Sequence, residues 1–140
     1  MKCDGFTAGM AICYDTQFTS VIRDIANKEA KVVLVPIHDP ELPNCLLNFL
    51  HSATLTFRAA ENSAPIVAAD GSGVSSIIDG SGRILARAGE HSIEAICGTV
   101  KLRSTRTLAS KVGDYLAYLC ASVMILMLIA PVIGRRRLPD

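Results

Sequence analysis

Cys13 stands in the stretch Gly9-Met10-Ala11-Ile12-Cys13-Tyr14-Asp15-Thr16-Gln17-Phe18, where an apolar run of strand character gives way almost at once to a helical pattern. A thiol at a strand–turn–helix corner is held at the rim of a sheet, within reach of a substrate. It also lies beside the first free N–H groups of a helix, whose partial positive charge favours the thiolate. The chemistry this suggests is nucleophilic attack by Cys13 on a carbonyl carbon, with the backbone N–H of Tyr14 as an oxyanion donor. The plain alternative is a small buried hydrophobe, the usual fate of a free cysteine. Other residues of chemical interest are fewer. His38 and Asp39 fall on a loop following a strand, the place where open α/β sheets receive ligands, although a solvated turn explains them equally simply. His51 lies on a helix surface of mixed polarity and reads as a packing or hydrogen-bonding residue. Arg58 and Glu61, spaced i,i+3, are expected to form an ion pair that positions their helix.

No metal site or cofactor is expected: His38, His51 and His91 share no ligand spacing with one another or with Cys3, Cys13, Cys45, Cys97 and Cys120. Five cysteines without a C-x-x-C pair do not read as a disulfide scaffold, though Cys3 and Cys13 could pair in an oxidising compartment. The turn Asp70-Gly71-Ser72-Gly73 lacks a Walker-type lysine and is a weak phosphate signal. A net charge of +1 on 140 residues gives no electrostatic case for nucleic acid, and 50% hydrophobic residues exclude a disordered chain.

The elements that must position Cys13 follow from periodicity. A helix is expected over about Thr16–Lys28, with Phe18, Val21, Ile22, Ile25 and Ala26 at helical spacing. Val32–Val35 is a continuous β-branched run of the kind buried on both faces of a sheet. The loop from Pro36 to Asn44 follows, then a second helix over about Cys45–Asn62 with Leu46, Phe49, Leu50, Ala53, Phe57 and Ala60 along one face. Ile66–Ala69 is a third strand. Val74–Ile78 and Arg83–Arg87, joined by Asp79-Gly80-Ser81-Gly82, form a hairpin, because those turn residues tolerate φ > 0. Ile93–Val100 is expected as a last strand, and residues 101–111 as a basic connector whose Arg103, Arg106 and Lys111 stay solvated or meet lipid head groups. The fold class is α/β with a mostly parallel sheet. Strands buried on both faces, with helices for only one, mark it as half of a larger domain.

Hydrophobicity concentrates at the C-terminus. Tyr115–Gly134 carries no charge, and roughly 20 apolar residues suffice to span a bilayer. Arg135-Arg136-Arg137 follows at once, so the expected order is a basic connector at 108–114, a transmembrane helix at 115–134 and a cytoplasmic tail at 135–140, with everything before residue 115 on the outer face of the cell membrane. No apolar run resembling a signal peptide follows Met1, so export is expected to depend on upstream sequence.

Taken in order, several motifs resemble the nitrilase (carbon–nitrogen hydrolase) superfamily: Ile12-Cys13-Tyr14-Asp15 with Phe18 and Arg23; the strand from Val32 to Pro36; His51 followed by Phe57-Arg58-Ala59-Ala60-Glu61-Asn62; Gly71-Ser72-Gly73-Val74-Ser75 with Ile77-Ile78-Asp79; and Gly82-Arg83-Ile84-Leu85-Ala86. The resemblance covers residues 5–107 and implies that residues 1–107 are the C-terminal half of a nitrilase-like αββα sandwich. Residues 102–114 and the apolar segment after them are similar to the end of the apolipoprotein N-acyltransferase branch. That resemblance implies Cys13 as nucleophile, the Tyr14 amide as oxyanion donor and a thioester intermediate. The acyl chain would come from membrane phospholipid and pass to the N-terminal cysteine of a lipoprotein. It also implies a glutamate base and a lysine well before the cysteine. Only twelve residues precede Cys13, and Lys2 and Asp4 do not fit, so a missing N-terminal half is an expected partner.

Asp15, the loop Pro36-Ile37-His38-Asp39-Pro40 and Glu29-Ala30 depart from the acyltransferase pattern, and Asp15 is the residue soluble amidases favour. A membrane-tethered amidase or nitrilase acting on a small amide therefore stands as an alternative, as does a non-catalytic remnant.

Overall fold

The computed structural model describes residues 1–41 and 46–135, with side chains described as far as residue 129. Its sheet has six strands in sequence order: β1 (Lys2–Cys3), β2 (Phe6–Met10), β3 (Val32–Ile37), β4 (Ile66–Asp70), β5 (Ser76–Ile78) and β6 (Ile84–Arg87). β2, β3 and β4 run parallel, in the register Gly9 to Val33 to Ile66, and the pairings at both ends of the sheet are antiparallel. Helix α1 (Thr19–Asn27) links β2 to β3, and α2 (Leu46–Asn62) links β3 to β4. Two successive right-handed crossovers onto adjacent strands put both helices on the same face.

The core lies between that face and the helices: Ala11, Ile22, Val33, Val35, Ile37, Leu55, Ala59, Ala64, Ile66, Ala68 and Ile78 form one buried cluster, against which Cys13 and Ile25 pack. Each fully buried Ile or Leu here contributes about 2 kcal/mol of burial. The alternate residues face the other way. Met10 and Ala69 are exposed there, and Leu34 and Val67 are half-buried. The continuous apolar run of β3 thus has one covered and one mostly open side, as expected for half of a sandwich.

Several local expectations are corrected. The first strand ends at Met10, and Cys13–Gln17 is a 3-10 turn preceding α1, which starts at Thr19 rather than about Thr16. The apolar stripe of α2 is its outward face: Leu46, Phe49, Leu50 and Phe57 are exposed, whereas Asn48, His51, Leu55, Ala59 and Asn62 are buried. The buried polar residues find acceptors for their donors (Asn48 Nδ2 donates to the Pro40 carbonyl, and Asn62 Nδ2 to that of Arg58 one turn back in the helix), although Asn48 Oδ1 has no partner among the described residues.

Ile93–Val100 forms no strand. β6 is the last strand of the sheet and its outer edge has no partner among the described residues, but the segment does not run along that edge. The segment opens with a local turn in which Glu94 accepts from the Gly89 amide, and it passes the open sheet face beside Ile77, close to Gly98.

The basic connector is not solvated throughout. Arg103 is 7% exposed, lodged under the ends of α1 and α2. A short helix, α3 (Leu108–Val112), is capped by the Thr107 hydroxyl and ended by Gly113 at φ 72°. Helix α4 (Tyr115–Arg135) follows, and its described side chains stand exposed. Among the described residues no helix is long and apolar enough to cross a membrane. The expected span 115–134 extends past the described side chains. The tail from 136 on, the start of the second helix at Cys45 and the end of the loop at 42–44 lie outside the described residues.

Candidate active site

Cys13 is the first residue of the 3-10 turn and has φ 46°, a left-handed conformation that costs a non-glycine residue about 1–2 kcal/mol. Asp15 closes the turn on itself. Its backbone N–H donates to the Ile12 carbonyl at 2.9 Å, while its carboxylate Oδ2 accepts from the Ile12 N–H at 3.0 Å. This clasp encloses Cys13 and Tyr14, whose N–H groups lie in the first turn, where helical amides have no intrahelical acceptor. The expected oxyanion donor, Tyr14, therefore sits where a donor is structurally available, next to a half-buried and free thiol. Cys3 is likewise a free thiol, so the two are not paired.

Helix α2 holds the turn from beneath. Arg58 Nε donates to the Thr16 carbonyl at 2.9 Å and Nη2 to that of Gln17 at 3.2 Å, and Nη1 lies 2.6 Å from Glu61 Oε2. The expected Arg58–Glu61 pair is present, with the additional role of a clamp on the cysteine turn. Arg58→Ala is expected to lower stability by about 2 kcal/mol, since two carbonyls lose a donor and Glu61 its counter-ion. An unchanged urea midpoint would rule out the clamp.

A polar chain runs inward from the cysteine. The Thr16 hydroxyl donates to the Cys13 carbonyl at 2.9 Å, and the same oxygen lies 2.9 Å from His51 Nε2. His51 Nδ1 lies 2.8 Å from Asp39 Oδ1, and the two side chains are 2% and 4% exposed. The Tyr14 ring covers His51 at 5.9 Å between centroids. Asp39 is thus no solvated turn residue. It leaves the loop to pair with a buried histidine, while His38, its neighbour, is exposed beside Gly71. Thr16 had no sequence signal at all; a threonine three residues after a cysteine is ordinary until α2 brings His51 against it.

The glycine-rich turn after β4 serves Asp70 rather than a phosphate. Asp70 Oδ1 accepts from the amides of Ser72, Gly73 and Asp39 at 3.0, 2.9 and 3.2 Å. Burial alone would raise the Asp70 carboxyl, but these amides outweigh it and hold it below the usual carboxylate range. Asp39 goes the other way. Burial pushes its carboxyl up, His51 opposes the rise, and the Asp70 charge adds to it. No group of three or more His, Cys, Asp and Glu able to hold a metal ion occurs among the described residues.

The carbon-nitrogen hydrolase family model matches residues 1–110. Apolipoprotein N-acyltransferase 1 of Treponema denticola is 26% identical over 137 residues, covering 96% of this chain and 25% of that protein. The apolipoprotein N-acyltransferase of Shewanella oneidensis is 26% identical over 122 residues, covering 86% and 24%. The chain therefore spans about a quarter of the length of the curated relatives it matches. Among solved structures, a carbon-nitrogen hydrolase from Helicobacter pylori G27 superposes with a TM-score of 0.54 at 19% identity, covering 59% of this chain and 36% of that one. An amidase from Nesterenkonia sp. does so with 0.54 at 24% identity, covering 65% and 36%. At these identities the superpositions speak for the fold alone, and the fold is that of the α/β nitrilase-like domain. With the family model covering most of its length, the chain belongs to the carbon-nitrogen hydrolase family of the nitrilase superfamily.

Proposed function

We propose that this chain is the nucleophile-bearing part of a membrane-bound N-acyltransferase that passes an acyl chain from phospholipid to the N-terminal cysteine of a lipoprotein. The observation that carries this reading is the extent of the match to the Treponema denticola acyltransferase. At 96% of the chain, it continues beyond residue 110, where the family model ends, into the apolar helix. In the proposed reaction the Cys13 thiolate attacks the ester carbonyl carbon of the phospholipid. The C–S bond forms, the C–O bond breaks, and the lysophospholipid leaves as an alcohol once its oxygen takes a proton. The acceptor's α-amine then attacks the thioester, the C–N bond forms, and the thiol is regenerated. The Tyr14 amide is positioned to meet the oxyanion in both steps. The general base and the oxyanion lysine are proposed to come from polypeptide outside these residues, so the isolated chain is expected to be inactive.

A seat at the membrane is supported by Tyr115–Gly134, an uncharged run followed by arginines. It is also supported by α4 itself, whose Tyr118, Met127 and Leu128 are exposed without a protein neighbour, a costly arrangement in water. The proposed orientation puts the domain on the outer face and the C-terminus in the cytoplasm. A second reading, hydrolysis of a small amide by a membrane-tethered amidase, draws support from Asp15.

The test is to incubate the longer protein containing this chain with phospholipid vesicles and look for an acyl group on Cys13. A hydroxylamine-labile adduct on the Cys13 peptide, discharged by a peptide with N-terminal cysteine, is the expected result. Release of ammonia or amine from soluble amides without such an adduct would favour the hydrolase. Neither product would leave the chain a non-catalytic module.

A further inference from the structure

Helix α3 has five residues, too few to persist in water on its own, so it exists because it is docked. Its bonds go to both helices of the core face. The Thr107 hydroxyl donates to the Glu61 carbonyl at the end of α2 and accepts from the Ser110 N–H. Asn27 Nδ2, at the end of α1, donates to the Ser110 carbonyl at 3.2 Å, and Ser110 is fully buried.

Only Gly113 and Asp114 separate α3 from α4, and both are held. The Gly113 N–H donates to the Ala109 carbonyl at 2.9 Å, while the Asp114 carbonyl accepts from the Ala117 and Tyr118 amides at 3.0 and 3.3 Å. One helix therefore starts as the other stops. Gly113 has φ 72° and ψ −137°, the mirror image of an ordinary extended conformation and one that glycine alone adopts readily. A Cβ there would also stand 2.6 Å from Arg23 Nη1, because the guanidinium lies over the joint, 3.9 Å from Asp114 Oδ2. That ion pair is partly in solvent and adds little by itself, so the joint depends on the glycine. Arg23 stands on α1, which begins at Thr19 directly after the cysteine turn and its cap Phe18. Thr19 and Asp114 line one cavity of about 80 Å³, so α4 leaves the domain beside the start of α1.

We propose that Gly113 is a positioning residue: its joint, braced by Arg23, makes α4 and the Cys13 corner one rigid body, so that α4 sets the height and tilt of the thiol over a lipid surface. This rests on the reading of Cys13 as the nucleophile and of α4 as the membrane seat. A thiol that must meet an ester carbonyl at the edge of a bilayer gains from such a strut, since a misplacement of about 1 Å can cost about a hundred-fold in rate. An ester that diffuses in from water comes to the thiol in any orientation and needs no strut.

The structural half of the test reads residual dipolar couplings of the 140-residue chain in detergent micelles. One alignment tensor should fit the amides of α1, α2 and α4 together. In Gly113→Ala, which cannot hold the glycine conformation, α4 should require a tensor of its own. Two tensors for the unchanged chain, or a single one for Gly113→Ala, overturns the proposal.

The functional half uses the longer protein containing this chain. It follows acylation of Cys13 from phospholipid vesicles and, separately, from p-nitrophenyl butyrate in solution. Gly113→Ala should slow the vesicle reaction by about ten-fold or more and leave the soluble ester within about two-fold. Slowing that is equal for the two donors, or absent for both, overturns the proposal. Should Gly113→Ala fail to fold by circular dichroism, insertion of two glycines between Gly113 and Asp114 decides by the same readouts, since it leaves α3 docked. Should neither donor acylate Cys13 in the unchanged protein, the nucleophile reading fails and the dipolar couplings alone decide the joint.

Discussion

With Cys13 as the proposed nucleophile, Cys13→Gly in the longer protein is expected to abolish the proposed acyl transfer, and in the 140-residue chain it is expected to resist urea better than Cys13→Ala. Removing a nucleophile costs about a million-fold in turnover where comparable enzymes have been dissected, and both variants share that loss. Their stabilities should differ because Cys13 has φ 46°. Alanine keeps the Cβ that makes this conformation expensive, by about 1–2 kcal/mol, and glycine has none. Glycine also loses more chain entropy on folding, which offsets part of the gain, so the net advantage should be about 0.5–1 kcal/mol. Urea denaturation of the two variants side by side reads this difference directly, since neither retains the thiol. If the alanine variant is the more stable, the corner is not strained, and the idea that neighbours must hold it fails as well. If the prediction holds, the site carries stability given up for a projecting thiol, the pattern expected where function and fold compete for one residue.

The parts of this fold legible in the sequence are those specified by neighbours along the chain. Val32–Val35 reads as a strand because β-branched residues fit a pleated surface, and the structure puts β3 in the middle of the parallel run. Asp79-Gly80-Ser81-Gly82 reads as a turn because its conformations are local: Asp79 Oδ1 accepts from the Ser81 and Arg83 amides, and Gly82 has φ 84°. Arg58 and Glu61 are one helical turn apart, so their pairing is also local. What was not legible depends on elements meeting in space. His51 and Asp39 are 12 positions apart with a loop between them, and no periodicity links them. The apolar stripe of α2 reads as a core face until its polar residues prove to be the ones with inward partners. Ile93–Val100 has strand composition, but composition does not say whether the chain runs along the edge of β6 or across the sheet face beside Ile77, as it does.

Arg103→Met is expected to destabilise the chain by about 3 kcal/mol, a larger loss than for any other charged residue of the run from Lys101 to Lys111. In sequence that run looks like a solvated connector. In the structure the Arg103 Nε donates to the Asn62 carbonyl at 2.8 Å and Nη1 to the Ala26 carbonyl at 2.6 Å. These carbonyls belong to the last turns of α2 and α1, where helix oxygens have no intrahelical donor and the dipole is negative. A single guanidinium therefore closes two helix ends, and a methionine of similar length fills the space while taking the donor from the Asn62 oxygen and leaving the Ala26 oxygen with the Glu29 N–H alone. Burial of the cation, with Arg106 nearby, pushes the Arg103 pKa down, so part of the gain is spent on desolvation and the net value stays well below the sum of two charge-assisted bonds. Arg103→Lys should recover no more than half, because a point-like ammonium cannot span two acceptors as the planar fork does. Arg106→Met is the control: it is exposed and makes one bond of 3.2 Å to the Asn27 carbonyl, so it should change stability by less than about 1 kcal/mol. Equal urea midpoints for the Arg103 and Arg106 variants would remove the clamp. Unequal ones would tie the far end of the chain to the site, because the two helices that Arg103 joins are those that follow the cysteine turn and carry His51 and Arg58 beneath it.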